Sequence, residues 1–166
     1  MGHRRVSAQE AAALIAEGWL HLDVRSVAEF EAGHPAGAYN VPFAIRGPRG
    51  LAPNPEFIAT MLRAFGRDAP LVLDCQSGGR SAQAAGVLLR EGFTRIVDQQ
   101  AGYGGVRGPF GQVLERGWQA SGLPCAARAE RGRSWAELRE RRTPLMGSGG
   151  EAEGGSGPEA PGEVKP

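Results

Sequence analysis

Leu71-Val72-Leu73 is an unbroken apolar run that ends at Asp74 and delivers the chain straight into Cys75-Gln76-Ser77-Gly78-Gly79-Arg80-Ser81. So short an apolar segment, with no polar face, suits a central strand covered on both sides, which is the habit of parallel sheets. The two glycines then allow a tight turn, and Ser81 to Leu89 reads as a helix stopped at Gly92. A strand, a tight loop and a helix in immediate succession leave few architectures open, and α/β is the first of them.

The rest of the chain agrees. Ser7 and Glu10 have capping-box spacing and predict a helix to about Ala16, closed by Gly18. Trp19 to Leu22 alternates, ends in Asp23 and reads as a strand; Ser26 and Glu29 repeat the capping box before a short helix closed by Gly33. Ala38 to Val41 is a second strand, broken by Pro42, and Arg46 to Pro53 reads as loop because of its glycines and prolines. Asn54-Pro55 opens a helix whose apolar Phe57, Ile58, Met61, Leu62 and Phe65 recur at helical spacing up to Gly66. Arg95 to Val97 is another short strand. Alternating strands and helices predict a mostly parallel twisted sheet with helices on both faces, and sites in such sheets lie beyond the carboxyl ends of the strands, where Cys75 falls.

Composition sets the outer limits. The 166 residues fit one domain with some to spare, and a net charge of +1 gives no global field for nucleic acid or membrane. Two cysteines, Cys75 and Cys125, are too few for a disulfide scaffold, and no paired Cys/His cluster suggests a metal. A reducing, cytoplasmic setting is the expectation, without a signal peptide or membrane span. The domain is expected over residues 1–127. Residues 128–166 are expected to be a disordered tail, Arg-rich to Arg142 and then rich in Gly, Glu and Pro, although Ser134 to Leu138 has the makings of a nascent helix.

The loop carries the chemistry. Gly78 and Gly79 let successive backbone N–H groups turn inward into a nest for an anion, and the following helix N-terminus adds partial positive charge. Both effects favour the thiolate of Cys75 and hence its nucleophilicity. The same cradle, Gln76 to Ser81, is the candidate binding loop for an oxyanion or a persulfide, and Arg80 brings a permanent charge with a bidentate fork.

This segment resembles the active-site loop of single-domain rhodaneses, Cys-x-x-Gly-x-Arg-Ser. The resemblance extends to Leu22-Asp23-Val24-Arg25, Glu29-Phe30, Gly33-His34, Gly37-Ala38 and Asn40-Val41-Pro42 before the loop. After it come Ala84-Ala85, Leu88, Gly92-Phe93, Gly104-Gly105, Gly117-Trp118 and Gly122-Leu123-Pro124. The loop wording and Arg46-Gly47 look most like the senescence-associated members of the family. The chain departs from the family pattern at Pro35, and in a longer stretch from Val106 to Arg116 that reads as a flap near the site or a surface excursion.

The resemblance implies a rhodanese-like fold and a thiosulfate sulfurtransferase that passes sulfane sulfur through a Cys75 persulfide without a cofactor. It implies a small sulfur donor and cyanide or a thiol such as glutathione or thioredoxin as acceptor, in a monomer or weak dimer. Related phosphatases carry five residues between their Cys and Arg; four stand between Cys75 and Arg80, a smaller loop that fits sulfur better. The family's acidic-basic pair, here Asp23 and Arg25, is expected to lock the sheet end to the site loops. Arg46 is placed either at the site rim or on the surface, and Cys125 is either a resolving thiol or a free thiol at the domain edge. Two further readings stay open: a thiol-disulfide or arsenate-reducing oxidoreductase on the same scaffold, and a non-catalytic interaction module.

Overall fold

The apolar run at Leu71–Asp74 is the middle strand of a sheet, as its lack of a polar face requires. A computed structural model describes residues 2–147; the Gly-, Glu- and Pro-rich stretch from 148 to 166, expected to be disordered, lies outside the described residues. In chain order the elements are β1 (Arg4–Val6), α1 (Ala8–Ala16), β2 (Leu20–Asp23), α2 (Val27–Ala32), β3 (His34–Pro35), β4 (Tyr39–Asn40), β5 (Ala44–Gly47) and β6 (Gly50–Pro53). They continue as α3 (Phe57–Ala64), β7 (Leu71–Asp74), α4 (Gly79–Arg90), β8 (Ile96–Gln99), β9 (Val106–Arg107), β10 (Val113–Glu115), β11 (Cys125–Ala126) and α5 (Trp135–Glu140).

The main sheet has five strands in the order β1-β8-β7-β2-β4, and every pairing within it is parallel. Alternation along β7 builds a core on each side. Leu71 and Leu73 pack with Phe57 and Met61 of α3, Ala84 and Leu88 of α4, and Leu138 of α5. Val72 faces the other way, with Val97, Ala11 of α1 and Trp118. Cys75 continues the Leu71/Leu73 side and belongs to that first core. The sheet therefore presents the ends of β2 and β7 side by side, with Asp23 in register with Asp74, one residue before the loop.

Three expectations need correction. Arg46 to Pro53, read as loop, is a hairpin in which Arg46 pairs with Leu51; its glycines and prolines sit at a turn and strand ends rather than preventing pairing. The helix after the cysteine begins at Gly79, not Ser81. Residues 128–147 are folded onto the domain rather than forming part of a disordered tail. Ser134 caps α5 in a capping box with Glu137, and Leu138 is fully buried. Leu145 is clamped by backbone bonds from its N–H to the Ala64 carbonyl (2.8 Å) and from the Gly66 N–H to its own carbonyl (2.9 Å). The arginines that made the stretch look solvated serve as fasteners: Arg133 donates to the Gly37 carbonyl at 2.6 Å and lies over Tyr39, and Arg139 pairs with Glu56 at 2.9 Å. The surface excursion at 106–116 is the short hairpin β9–β10.

Candidate active site

Because β7 ends at Asp74 and α4 starts at Gly79, only four residues lie between strand and helix, and they must curl. Gly78 does so with φ 94° and ψ −7°, a left-handed conformation that L side chains rarely adopt. A Cβ there would also run into the Gln100 carbonyl oxygen. Gly79 has no such requirement: nothing lies within 4 Å of the Cβ it would carry.

The curl places the Gly78 N–H 3.2 Å from Cys75 Sγ. The thiol in turn donates to Ser81 Oγ at 3.3 Å, and Ser81, itself fully buried, has its hydroxyl 3.4 Å from the Gly78 carbonyl. Cys75 is 1% exposed, while Gln76 and Ser77 form an exposed crown above it. The opposite wall is the turn after β8. The Tyr103 N–H donates to the Cys75 carbonyl at 2.7 Å and the Gly104 N–H to the Gln76 carbonyl at 2.9 Å. Gly102 approaches the Gln76 backbone so closely that a Cβ would come within 2.5 Å of its carbonyl carbon.

Arg25 joins the sheet end to this loop. Its Nε and Nη2 donate to the Asp23 carboxylate (3.1 and 2.8 Å), Nη1 to Gln76 Oε1 (3.1 Å) and Nη2 to the Gly33 carbonyl (2.7 Å). Burial opposes the charge of Arg25, but the bond to Asp23 together with the negative charges of Asp23, Asp74 and Glu29 outweighs it, and the guanidinium is held more firmly protonated than usual. The ring of Tyr103, which the sequence reading passed over, lies 4.5 Å from the same guanidinium. Burial first, and then a bond with Cys125, raise the Tyr103 hydroxyl above its ordinary range. Arg25, Gln76, Tyr103, Glu29 and Gln119 border an open cavity of about 320 Å³. No local signal distinguished Tyr103 or Gln119, because both reach the site from beyond the loop's own strand and helix.

One site expectation is corrected, that for Arg80, and for Arg46 the surface alternative is the one the geometry favours. The fork of Arg80 is not free in the cradle: Nη1 and Nη2 donate to Glu29 Oε1 and Oε2 at 2.7 and 2.8 Å. That bond from Arg80, aided by Ser26, holds Glu29 down at about 2. Glu29 thus caps α2 and also grips the loop. Arg46 stands exposed on its hairpin, and no hydrogen bond or ion pair ties it to the loop among the described residues. Asp74 does face away from the loop, toward His21 at 3.0 Å, and burial pushes it up to about 6. Cys125 is exposed, with its thiol 3.3 Å from the Leu123 carbonyl; both cysteines are free.

A family model described as the rhodanese-like domain matches residues 7–107. The chain is 38% identical over 122 residues to the chloroplastic thiosulfate sulfurtransferase 16 of Arabidopsis thaliana, covering 74% of this chain and 92% of that one. It is 39% identical over 98 residues to the senescence-associated protein DIN1 of Raphanus sativus, covering 59% of this chain and spanning about half, 54%, of that relative. Among solved structures, a protein from M. tuberculosis superposes with a TM-score of 0.65 at 26% identity, covering 77% of this chain and all of that one. The rhodanese-like domain of an Anabaena sp. protein superposes at 0.58 with 15% identity, over 98% of this chain and 95% of that one, a likeness of fold alone.

Proposed function

The chain belongs to the rhodanese-like domain family, and from that premise we propose that it is a sulfurtransferase working through a persulfide on Cys75. The observation that carries this reading is the Gly78 N–H aimed at Cys75 Sγ from the N-cap of α4. A helix N-terminus and an inward N–H stabilise the negative charge of the thiolate on that sulfur, and the same loop receives the charge on the outer sulfur once the persulfide forms. In the thiolate, the Ser81 hydroxyl turns its proton toward sulfur and adds a second donor.

The thiolate attacks the outer sulfur of thiosulfate; the S–S bond to the sulfonate breaks and sulfite leaves with the electron pair. A Cys75 persulfide anion remains. Cyanide or a thiolate then attacks the outer persulfide sulfur, departs as thiocyanate or a new persulfide, and returns Cys75 to the thiolate. Each half is a displacement at sulfur, giving a two-step exchange. The donor reaches the buried sulfur past the crown of Gln76 and Ser77. With Arg80 paired to Glu29 and Arg25 to Asp23, the site's basic charge is locally balanced, which favours a small donor held by N–H groups over a strongly anionic protein. The name of the Arabidopsis relative, a thiosulfate sulfurtransferase, supports thiosulfate as the donor class.

Intact mass spectrometry after thiosulfate treatment tests the proposal. The expected result is a gain of one sulfur atom that is lost with cyanide, with thiocyanate formed, and that is absent in Cys75→Ser. A gain that survives Cys75→Ser, or no gain with the thiol intact and reduced, overturns it.

A further inference from the structure

Arg5 stands on β1 at the edge of the main sheet, ahead of the span matched by the family model, and reaches the cysteine loop from outside. Parallel pairing of β1 with β8 sets it in register with Asp98, which is fully buried. Arg5 Nε donates to Asp98 Oδ2 at 2.7 Å, and His3 Nε2 lies 3.3 Å from the same oxygen. A buried carboxylate needs a cationic partner, so the bond to Asp98 fixes where the guanidinium lies. Its other arm, Nη2, donates to the Gly78 carbonyl at 2.9 Å. The planar fork is what lets one side chain span a carboxylate and a carbonyl.

The Gly78 carbonyl has three donors. Besides Arg5 it takes the Ala82 N–H at 3.3 Å, which opens the bonding of α4, and the Ser81 hydroxyl at 3.4 Å. Arg5 is the nearest of the three and the only charged one, and charged donors make the stronger bonds. The Ser81 hydroxyl is the farthest, and Cys75 Sγ lies 3.3 Å from its oxygen on another side. A hydroxyl has one proton, so it serves the carbonyl or the sulfur and not both. While Cys75 is a thiol, its own proton goes to Ser81 Oγ and the hydroxyl proton to the carbonyl. Once Cys75 is a thiolate the hydroxyl turns, and the carbonyl it leaves keeps Arg5 as its strong partner.

We infer that Arg5 is a positioning residue: by holding the Gly78 carbonyl it releases the Ser81 proton to the Cys75 thiolate. Its effect on sulfur transfer rests on the persulfide reading above; the release of the proton does not.

The test is the rate at which iodoacetamide, a neutral reagent, alkylates Cys75 at neutral pH, read by intact mass on the full chain carrying Cys125→Ser. Arg5→Lys keeps a cation beside Asp98 but has no fork to span both partners. It is expected to slow alkylation roughly ten-fold, and thiosulfate loading in the same proportion, with circular dichroism unchanged. In a chain that also carries Ser81→Ala, adding Arg5→Lys is expected to change alkylation by less than about two-fold, because no hydroxyl proton is left to release. A loss of equal proportion in both backgrounds, or no loss in either, overturns the inference. Should Ser81→Ala fail to fold, the pH profile of Arg5→Lys decides. The loss is expected to shrink toward alkaline pH, where Cys75 is thiolate in both chains, and a loss equal at every pH overturns the inference. Failure of the unaltered chain to gain sulfur would overturn the persulfide reading alone, since alkylation does not depend on it.

Discussion

Arg80 holds Glu29 with both arms of its guanidinium, at 2.7 and 2.8 Å, across a sequence separation of 51 residues. The pair fastens the first turn of α4 to the first turn of α2, so the cysteine loop is braced from outside. It also neutralises a charge that would otherwise face the donor. Glu29→Gln leaves that positive charge uncompensated, and the expected outcome in a sulfite-release assay is a thiosulfate KM lowered several-fold, with a steeper dependence on salt. Arg80→Ala works in the opposite direction, raising KM and leaving Glu29 half-buried without its partner. An unchanged KM in both variants would mean that the pair is bracing only.

The two loop glycines make opposite predictions. Gly78→Ala forces a side chain into φ 94° and against the Gln100 carbonyl. The expected loss is about 1–3 kcal/mol of stability in urea titrations, together with sulfur transfer. Gly79→Ala enters open space on the first turn of a helix and is expected to keep activity and hold or slightly raise the urea midpoint. Equal damage from both would contradict the assignment of the strain to Gly78.

Cys125 is exposed and bonded to the Leu123 carbonyl, while Cys75 is buried behind the Gln76 crown. Cys125→Ser is expected to gain one sulfur from thiosulfate as the unaltered chain does, and to release it to cyanide at an unchanged rate. A persulfide that forms but no longer discharges would instead assign Cys125 the resolving role.

Leu138 joins the core that contains Cys75, so the C-terminal segment is expected to stabilise the whole domain. Leu138→Ala should cost about 2–5 kcal/mol in chemical denaturation, and a chain ended at residue 127 should lose more. A denaturation midpoint that does not move on Leu138→Ala would detach α5 from the fold.

Asp74 lies in a fully buried cluster with His21, and Asp23 and Arg25 face it from the neighbouring strand end. Burial raises it from an ordinary 3.8 to about 6, so the folded chain binds this proton more tightly than the unfolded one. The stability it contributes is complete below about pH 4 and declines as pH climbs through 6. Urea midpoints measured across that window for Asp74→Asn are expected to decline less with pH than those of the unaltered chain. Parallel curves would remove Asp74 from the account.

Much of the site was legible because its governing features are local. Leu71-Val72-Leu73 had to be a covered strand, the glycines had to curl, and a helix had to follow within a few residues of Cys75. The hairpin at Ala44–Pro53 was missed because glycine and proline were read as loop formers wherever they stood, whereas Gly47 and Gly50 pair across the turn itself. The segment after Ala127 was missed because its arginines looked solvated. Arg133 and Arg139 in fact meet acceptors 96 and 83 residues away, which no window of sequence contains.

The sequence by itself determined the strand–cysteine–helix unit and the α/β order around it, since backbone conformation and hydrophobic period are properties of neighbouring residues. Only the tertiary structure decided where the charges went. Arg80 was free to face the cradle until α2 brought Glu29 beside it, and Arg25 became a tie to Gln76 once parallel pairing set the ends of β2 and β7 side by side. A buried charge must find its partner wherever the fold puts one, and that partner is chosen by packing rather than by sequence neighbourhood.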